Sequence, residues 1–453
     1  MAALGCAILN SERKGCSMSK IKIGVMGAYR GTSMINYCRI AENAEVVAIC
    51  DKWPEALERQ KANNEGMDIT YYDNFEDFIK HDMDAVVLAN YANEHAPFAI
   101  RAMKEGKHVF SEVLPCQTMK EAVELIETIE ATGKIYAYGE NYCYMPAPYE
   151  MKKLYEEGKL GELEYAEGEY IHNGEPIWPS ITYGDKDHWR NNKYSTFYCT
   201  HSLGPIIHIT GLRPVSVTGF ESEMTGRMMK WGSKAGLFAV EMVTLENGAI
   251  VKSIHGSLYK DSVWYSIYGS KGRAESARED AAEPRKYISQ IYTNLDSYPG
   301  EYGERKIDHY FPEKEWDEKA GKFGHGGSDF YCMLNFVEKI KGNPDADTID
   351  VFEAMDMFLP GMFAYRSILQ GGIPMEVPNL RDPAVREQYR NDTACTDPKV
   401  AGEQLLPTRK GGTPDIPDEV YKHVEKLFLE EKDKKNSYTN RAFTQGNRKD
   451  FDR

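Results

Sequence analysis

The sequence predicts an α/β protein built from a doubly wound parallel sheet and a second, α+β domain with a large, mostly antiparallel open sheet. Short apolar runs alternate with helix-length segments up to about residue 145, as parallel strands and their crossover helices do. From residue 146 onwards, longer stretches of alternating polarity are typical of antiparallel strands with one open face. A chain of 453 residues is also too long for one hydrophobic core.

Composition and charge restrict the class of protein. Apolar residues make up 42% and charged residues 28% of the chain, as in soluble globular proteins. The net charge of −15 argues against nucleic acid and anionic membranes as partners, and no apolar run approaches the ~20 residues of a membrane span. The nine cysteines are scattered without a CxxC pair, which favours reduced thiols. We therefore expect a cytoplasmic protein.

The first domain is expected over residues 18–145, after a disordered extension over residues 1–17. Its strands are predicted at 21–26, 45–50, 84–88, 107–110 and 134–138. Its helices are predicted at 32–42, 54–64, 96–105 and 118–131. Thr118 and Glu121 have the spacing of a capping box at the start of the last of these helices.

The second domain is expected over residues 146–380. Its strands are predicted at 163–171, 215–220, 238–245, 249–256 and 264–268, and its helices at 327–341 and 350–370. Residues 381–453 form a polar C-terminal extension with one amphipathic helix at 417–433 and a loose arm at its end. The open sheet face and this arm favour a homodimer or homotetramer.

A glycine turn follows the first predicted strand and has the features of a dinucleotide site. It reads Gly27-Ala-Tyr-Arg-Gly31, one residue shorter than the full GxGxxG pattern and without its middle glycine. Gly27 allows the tight turn, and Gly31 allows a pyrophosphate to approach the N-terminus of the next helix. Asp51 ends the second strand, where an acid binds the ribose hydroxyls of NAD. Lys52 weakens the preference for NAD over NADP.

Further strings make the resemblance specific. Asp84-Ala-Val-Val-Leu, Asn93-Glu-His, Ala102-Met-Lys-Glu-Gly-Lys-His-Val and Glu112 resemble the Gfo/Idh/MocA oxidoreductase family over about residues 20–375. The resemblance implies a nicotinamide cofactor on a Rossmann domain and a sugar or cyclitol on the open sheet of the second domain. Two features of the ordinary dehydrogenases of that family are absent: Val113 stands where they carry lysine, and Ser202 and Ile206 stand where they carry aspartate and histidine.

One branch of that family fits better. Seven strings are similar to those of the NAD-dependent glycosidases of glycoside hydrolase family 109, whose best-known members are bacterial α-N-acetylgalactosaminidases. They are GAYRG from Gly27, Glu112-Val113, ENYCY from Glu140, GEYIH from Gly168, WRxN from Trp189, YxxHxxGP from Tyr198 and GHGGxD from Gly324. The resemblance implies tightly bound NAD and a small-molecule glycoside or sugar as the partner.

Cofactor-binding residues are expected around the turn and at the ends of the strands that follow it. They are Gly27, Tyr29, Arg30, Gly31, Asp51, Asn90, His95, Glu112, Val113 and Asn141. His95 can equally be a residue that starts a helix. No metal is implied, because HxH and HExxH spacings are absent, although His172 and His201 could converge in space.

The implied catalytic residues are His201, Tyr198, Tyr170 and His172. His201 is expected to take the proton of a sugar C3 hydroxyl, with Tyr198 beside it, since residues three apart share a face if the segment is helical. Tyr170 and His172 point to the same side of a strand and meet the substrate if that side is the open one. The base for the C2 proton stays open among Tyr170, His172 and His201.

Four further residues are predicted to bind the substrate: Glu140, Trp189, Arg190 and His325. Glu140 ends a strand of the first domain, where it can bond the nicotinamide ribose or a sugar hydroxyl. Arg190 can hold a hydroxyl or an N-acetyl oxygen. His325 reaches the pocket or forms a turn with Asp329.

Three functions are compatible with these residues. The leading one is a glycosidase that uses transient C3 oxidation, C2 deprotonation with elimination, addition of water and re-reduction. The alternative is a net NAD(P)-dependent sugar or cyclitol dehydrogenase, which the missing lysine at Val113 disfavours. The third is a non-catalytic ligand-binding protein on the same fold.

Overall fold

The computed structural model describes residues 19–222, 226–278, 288–296, 305–314 and 317–437. The predicted extension over residues 1–17 lies outside these ranges, as does the end of the predicted C-terminal arm, residues 438–453. Within the ranges, no helix combines the length and the apolar character that a membrane crossing requires.

Six parallel strands form the first sheet. They are β1 (Ile21–Met26), β2 (Ala44–Cys50), β3 (Thr70–Tyr72), β4 (Ala85–Leu88), β5 (His108–Ser111) and β6 (Tyr136–Tyr138). Their order is β3-β2-β1-β4-β5-β6, which confirms the predicted doubly wound sheet. Strand β3 was not predicted, because three residues with two tyrosines form no apolar run.

Helices cover both faces of this sheet. They are α1 (Thr32–Ile40), α2 (Pro54–Asn63), α3 (Phe75–Phe78), α4 (His95–Lys104) and α5 (Met119–Thr132). The capping box at Thr118 and Glu121 is present at the start of α5. All four residues of β4 are buried, as expected for a central strand covered on both sides. The carboxyl ends of β1, β2, β4 and β5 therefore lie at one edge, where ligands bind in open α/β sheets.

Nine strands form the second sheet. They are β7 (Leu163–Ile171), β8 (Pro214–Glu221), β9 (Phe238–Leu245), β10 (Ile250–Gly256), β11 (Ser262–Gly269), β12 (Gly272–Ser276), β13 (Ile291–Asp296), β14 (Arg305–Tyr310) and β15 (Met375–Glu376). Their order is β14-β13-β12-β11-β7-β10-β9-β8-β15. The pairing is antiparallel except between β7 and β10. The predicted mostly antiparallel sheet is thus confirmed.

The remaining helices are α6 (Pro146–Glu156), α7 (Trp178–Thr182), α8 (Cys199–Thr210), α9 (Gly226–Met229), α10 (Asp317–Ala320), α11 (Ser328–Ile340), α12 (Val351–Leu369), α13 (Pro383–Tyr389), α14 (Pro398–Ala401) and α15 (Asp418–Ser437). Helix α8 crosses β7 in direct contact, since a Cβ atom on Gly168 would lie 1.8 Å from the carbonyl oxygen of Ser202. Close packing of α8 on the sheet brings the helix start, with His201, to the end of β7.

The two faces of β7 differ. Glu169 forms an ion pair with Arg278 at 2.8 Å on the open face. Tyr170 points to the opposite face, where its ring lies 4.5 Å from that of His201 on α8. The condition set for Tyr170 in the sequence analysis, that its side of the strand is the open one, is therefore not met. Because α8 and the first domain cover this side of the sheet, the two side chains face the space between the sheets.

The C-terminal extension packs back onto both parts of the molecule. Arg390 makes a bidentate pair with Glu127 on α5, with contacts of 2.7 and 2.9 Å. Helix α15 contacts α7 in the second part, and it also contacts the first, because Lys432 forms an ion pair with Glu55 on α2 at 2.9 Å. The predicted helix at 417–433 is observed, and it contacts both α7 and α2.

Candidate active site

A cavity of about 950 Å³ lies between the two sheets, at the carboxyl edge of the first. One end is lined by the glycine turn and Asp51, and the other by Tyr170, His172 and His201. A helix of the C-terminal extension also reaches the wall, through Phe428. This volume lies at the upper end of the range for cavities that bind small molecules.

The glycine turn forms a close-packed cradle at one end of the cavity. Gly27 has a φ of +95°, and a Cβ atom there would lie 2.3 Å from the carbonyl oxygen of Ala89. Only glycine adopts this conformation without strain. The amide of Gly31 donates to the carbonyl oxygen of Gly27 at 2.9 Å, which places α1 directly after the turn. The N-terminus of a helix that begins directly after such a turn is suited to an anion such as a pyrophosphate.

Asp51 is held in place at the end of β2. Its Oδ2 atom accepts a hydrogen bond from the amide of Ala28 at 2.8 Å, and its Oδ1 atom accepts one from the amide of Trp53 at 2.9 Å. The carboxylate is thus fastened to the turn beside it. An acid in this position is suited to bind ribose hydroxyls.

Tyr29, Asn90 and His95 lie on the same part of the wall. Tyr29 is half exposed, and the guanidinium of Arg59 lies 5.1 Å from its ring centre. The Nδ1 atom of His95 lies 3.0 Å from the carbonyl oxygen of Leu114, and burial lowers the pKa of His95 to about 4. His95 is therefore neutral at physiological pH, and it also starts α4.

Arg30 and Glu112 belong to a network that joins the carboxyl edge of the first sheet to the start of α11. Both Arg30 terminal nitrogens donate to Asp329 at 2.9 Å, and Arg30 Nη2 lies 2.6 Å from Glu112 Oε1. Asn141 Nδ2 and His325 Nδ1 also contact Oδ1 of Asp329, at 2.9 and 3.1 Å. The charge of Arg30 holds the pKa of Asp329 well below its usual range despite burial. Asp329 is thus the centre of the network.

His201 and Glu140 form a buried pair at the other end of the cavity. Nδ1 of His201 donates to Oε1 of Glu140 at 2.9 Å, and Thr200 Oγ1 donates to Oε2 at 2.9 Å. Glu140 has no exposed surface and lies behind His201, away from the cavity wall. Because Nδ1 carries the proton in this bond, Nε2 of His201 is the atom that can accept one.

Aromatic rings surround the imidazole of His201. The ring of Tyr198 stacks on it at 5.6 Å with an interplanar angle of 5°, and those of Tyr170 and Tyr142 lie at 4.5 and 4.7 Å. Burial raises the pKa of Tyr170, so its phenol is protonated at neutral pH. Nη1 of Arg190 donates to the hydroxyl oxygen of Tyr198 at 2.9 Å.

Two cations lie on this part of the wall. The guanidinium of Arg190 lies 4.3 Å from the ring centre of Trp189, and Nζ of Lys193 lies 4.9 Å from that of Tyr198. Burial and the charge of Arg190 lower the pKa of Lys193 to about 7. A lysine in this state changes its charge near neutral pH.

The last predicted site residues lie at the edges of the cavity. His172 is half exposed, and its Nδ1 atom lies 3.3 Å from Oδ1 of Asp261. Burial lowers the pKa of His172. Val113 lines the cavity with an uncharged side chain. His325, with φ +54°, both lines the cavity and contacts Asp329 four residues later, so the two roles considered from its sequence are combined.

The cavity also contains residues that the sequence analysis missed. They are Tyr142, Tyr183, Lys193 and Phe428 on the wall, together with Asp329 behind it. Tyr142 and Asp329 belong to the ENYCY and GHGGxD strings, in which only neighbouring residues were predicted as site residues. Lys193 and Phe428 have no local signal, because their position depends on folding of distant segments. In the described ranges, no group of three or more His, Cys, Asp or Glu side chains is arranged to hold a metal ion.

Comparison with protein families gives two matches along the chain. Residues 21–140 match the model of an oxidoreductase family with an NAD-binding Rossmann fold, Gfo/Idh/MocA. Residues 149–384 match the C-terminal domain of glycosyl hydrolase 109. The second match alone covers more than half of the chain. A Solibacter usitatus protein named glycosyl hydrolase family 109 protein is 26% identical over 426 residues, 84% of this chain and 94% of that protein.

Solved structures with the same fold are more distant in sequence. An NAD-binding oxidoreductase from Klebsiella pneumoniae superposes with a TM-score of 0.65 at 15% identity, covering 79% of this chain and 99% of that one. A scyllo-inositol dehydrogenase from Lactobacillus casei, with bound NAD(H) and scyllo-inositol, gives 0.60 at 18% identity, covering 79% and 99%. At these identities the similarity shows the fold alone.

Proposed function

The chain belongs to the glycosyl hydrolase 109 family, with the NAD-binding Rossmann fold of the Gfo/Idh/MocA oxidoreductases, and we propose that it is an NAD-dependent glycosidase. The observation that carries this proposal is the His201–Glu140 pair, in which His201 faces the cavity that also contains the dinucleotide cradle and Glu140 lies behind it. The reaction is transient oxidation at C3 of the sugar, elimination of the aglycone across C1 and C2, addition of water and re-reduction.

The residues of the cavity fit a dinucleotide. The cradle at Gly27 excludes a side chain, and Asp51 is fixed where ribose hydroxyls bind. The side-chain carbonyl oxygens of Asn90 and Asn141 are buried on the wall and have no hydrogen-bond partner in the described ranges. Buried polar atoms are normally paired, so these two favour a polar ligand. NAD bound here would supply a reversible hydride acceptor to the sugar.

His201 is the base for the hydroxyl that is oxidised. Its Nε2 atom accepts the C3 hydroxyl proton, while the Nδ1–H bond to Glu140 holds the tautomer and stabilises the imidazolium that forms. Glu140 thus acts through His201 as a positioning residue. The same pair returns the proton when the ketone is reduced.

Removal of the C2 proton needs a second group. Tyr170 and His172 are the candidates besides His201, because both lie on the wall beside it. The neutral imidazole of His172 can accept a proton directly, since burial lowers its pKa. The phenol of Tyr170 is protonated and is suited to donate to the leaving glycosidic oxygen.

Arg190 and Trp189 are placed to orient the sugar. The guanidinium lies over the indole ring, which limits its motion, and it donates to Tyr198 beside His201. A positioned cation at this point stabilises negative charge that develops on a sugar oxygen during elimination. This is the contribution that lysine makes in the ordinary dehydrogenases and that Val113 lacks.

The test is proton NMR of the purified protein with α- and β-glycosides in D2O and no added NAD. We expect free sugar with deuterium at C2 and no accumulation of NADH. One-for-one formation of a keto-sugar, only when NAD is supplied, would identify a net sugar dehydrogenase instead. His201→Ala with intact fold is expected to abolish cleavage, and unchanged turnover would remove His201 from the mechanism.

A further inference from the structure

Three aromatic rings from distant parts of the chain meet at the Asp51 end of the cavity. The rings of Trp53 and Tyr183 lie 4.5 Å apart, and that of Phe428 lies 5.1 Å from Tyr183 and 6.5 Å from Trp53. All three line the cavity. Trp53 follows β2, Tyr183 follows α7, and Phe428 lies on α15. We call these three residues the aromatic cluster.

The aromatic cluster lies next to the residue that is suited to bind the ribose of a dinucleotide. The amide of Trp53 donates to the carboxylate of Asp51 at 2.9 Å, so the indole begins two residues beyond the ribose-binding acid. The glycine turn lies on the other side of Asp51, bonded through Ala28. In the order pyrophosphate, ribose, base, the rings therefore stand where the adenine comes.

Helix α15 is firmly seated at this place. Gly184 has φ +74°, and a Cβ atom on it would lie 2.5 Å from the amide nitrogen of Glu425, so the backbone of α15 touches the turn after Tyr183. Tyr421 is buried on the same helix, and its hydroxyl donates to the carbonyl oxygen of Gly232 at 3.2 Å.

The turn at Tyr183 has an unusual backbone conformation of a kind that is frequent at ligand sites. Tyr183 has φ +60°, a left-handed conformation that side chains other than glycine rarely adopt. Such conformations persist where the surroundings determine them and cluster at ligand sites. Here the surroundings are α15 on one side and Trp53 on the other.

We propose that α15 closes the adenosine end of the cofactor site, with Phe428 holding the rings of Trp53 and Tyr183 against the adenine and slowing release of the dinucleotide. The inference rests on the proposed use of NAD and adds the residues that retain it. Aromatic side chains stack on nucleobases through their π-faces. A catalyst whose cofactor is regenerated in each cycle gains from slow release, because every loss interrupts turnover.

The test measures cofactor release from the full-length protein. The protein is loaded with NADH, an excess of NAD is added, and the decay of bound-NADH fluorescence is followed. Phe428→Ala is expected to release NADH about tenfold faster than the wild type, the effect of losing one aromatic contact. Phe428→Tyr keeps an aromatic ring at this position and is expected to release NADH as slowly as the wild type.

Leu429→Ala is the matched control, because Leu429 follows Phe428 on the same helix and is 50% exposed. Its release rate is expected to equal that of the wild type. Phe428→Leu keeps the apolar packing of α15 and removes only the ring, so it keeps the test valid if Phe428→Ala does not fold.

Competing ligands separate a local role from a general loss of structure. ADP-ribose contains the adenosine end, whereas nicotinamide mononucleotide does not. NADH and ADP-ribose share the adenosine end, so the dissociation constant of each competitor is corrected for the variant's own affinity for NADH. Phe428→Leu is expected to raise the dissociation constant of ADP-ribose and to leave that of nicotinamide mononucleotide unchanged. Wild-type release rates in both Phe428→Ala and Phe428→Leu would overturn the inference and leave the glycosidase proposal intact. A wild-type protein that binds neither NADH nor ADP-ribose would overturn both.

Discussion

Nδ1 of His201 lies 2.9 Å from Oε1 of Glu140, a carboxylate without exposed surface at the end of β6. The pair joins the first domain to α8 of the second, so the proton acceptor of the cavity depends on both. The same chain contains a second pair of this kind, His208 and Glu353, at 2.6 Å. His208 lies on α8 as well, but outside the cavity. It therefore offers an internal control.

We predict that Glu140→Gln lowers kcat about 10³-fold while the protein stays folded, because the amide cannot hold the productive tautomer of His201 or stabilise its charge. The measurement is glycoside turnover with the fold followed by circular dichroism. Glu353→Gln removes the matched carboxylate from His208 and is expected to change stability but not kcat. Equal losses of kcat in both variants would mean that Glu140 has only a structural role.

The Arg30–Asp329 pair is predicted to hold the two parts of the molecule together. Asp329→Asn removes the bidentate carboxylate partner of Arg30, whose partly buried guanidinium keeps only Glu112 as a charged partner, and is expected to lower the free energy of unfolding by about 2 kcal/mol. Urea denaturation measures the change. Arg101 and Glu76 form a similar bidentate pair in an exposed position, so Glu76→Gln is expected to change stability little. A similar small change in Asp329→Asn would contradict the prediction.

The glycine turn at Gly27 is predicted to be required for binding of NAD. Gly27→Ala forces a side chain into a left-handed conformation and against the carbonyl oxygen of Ala89, so NAD affinity is expected to fall at least tenfold. Gly133→Ala is the control, because Gly133 has φ +63° with no atom within 4 Å of the added Cβ. Calorimetric titration with NAD should separate the two variants, and similar affinities would show that the cradle does not contact the cofactor.

Lys193 is predicted to make stability depend on pH. Its folded pKa of about 7 lies below the ordinary value of 10.5, so between these values the unfolded chain binds more protons and stability rises with pH. Below pH 7 the folded protein holds a charged, poorly solvated lysine. Lys193→Met is therefore expected to raise Tm most at pH 6, with a gain that shrinks from pH 7 towards pH 10.

The control for this prediction is Lys260→Met. Lys260 is exposed and also lies near an aromatic ring, at 5.4 Å from the centre of Tyr259. Its replacement is expected to change Tm equally at every pH. A gain in Tm of Lys193→Met that does not vary with pH would show that Lys193 keeps its ordinary pKa in the folded protein.

Local signals in the sequence were sufficient for most of the architecture. Five strands of the first sheet follow from continuous apolar runs, and the capping box of α5 follows from two residues at the right spacing. The edge strand β3 and helix α8 lack such signals: β3 is short, and α8 contains Gly204 and Pro205. Packing against neighbouring elements decides their conformation, and single-segment patterns do not contain that information.

The sequence by itself determined five strands of each sheet, the glycine turn with Asp51, and the family resemblance, but not β3 or the four strands β12 to β15. Each of these depends on residues close together in the chain. Only the tertiary structure decided that Glu140 stands behind His201, that Tyr170 faces away from the open side of the sheet, and that Phe428 reaches the cavity. These relationships join segments tens to hundreds of residues apart. They follow from the packing of helices on sheets, which local polarity patterns do not specify.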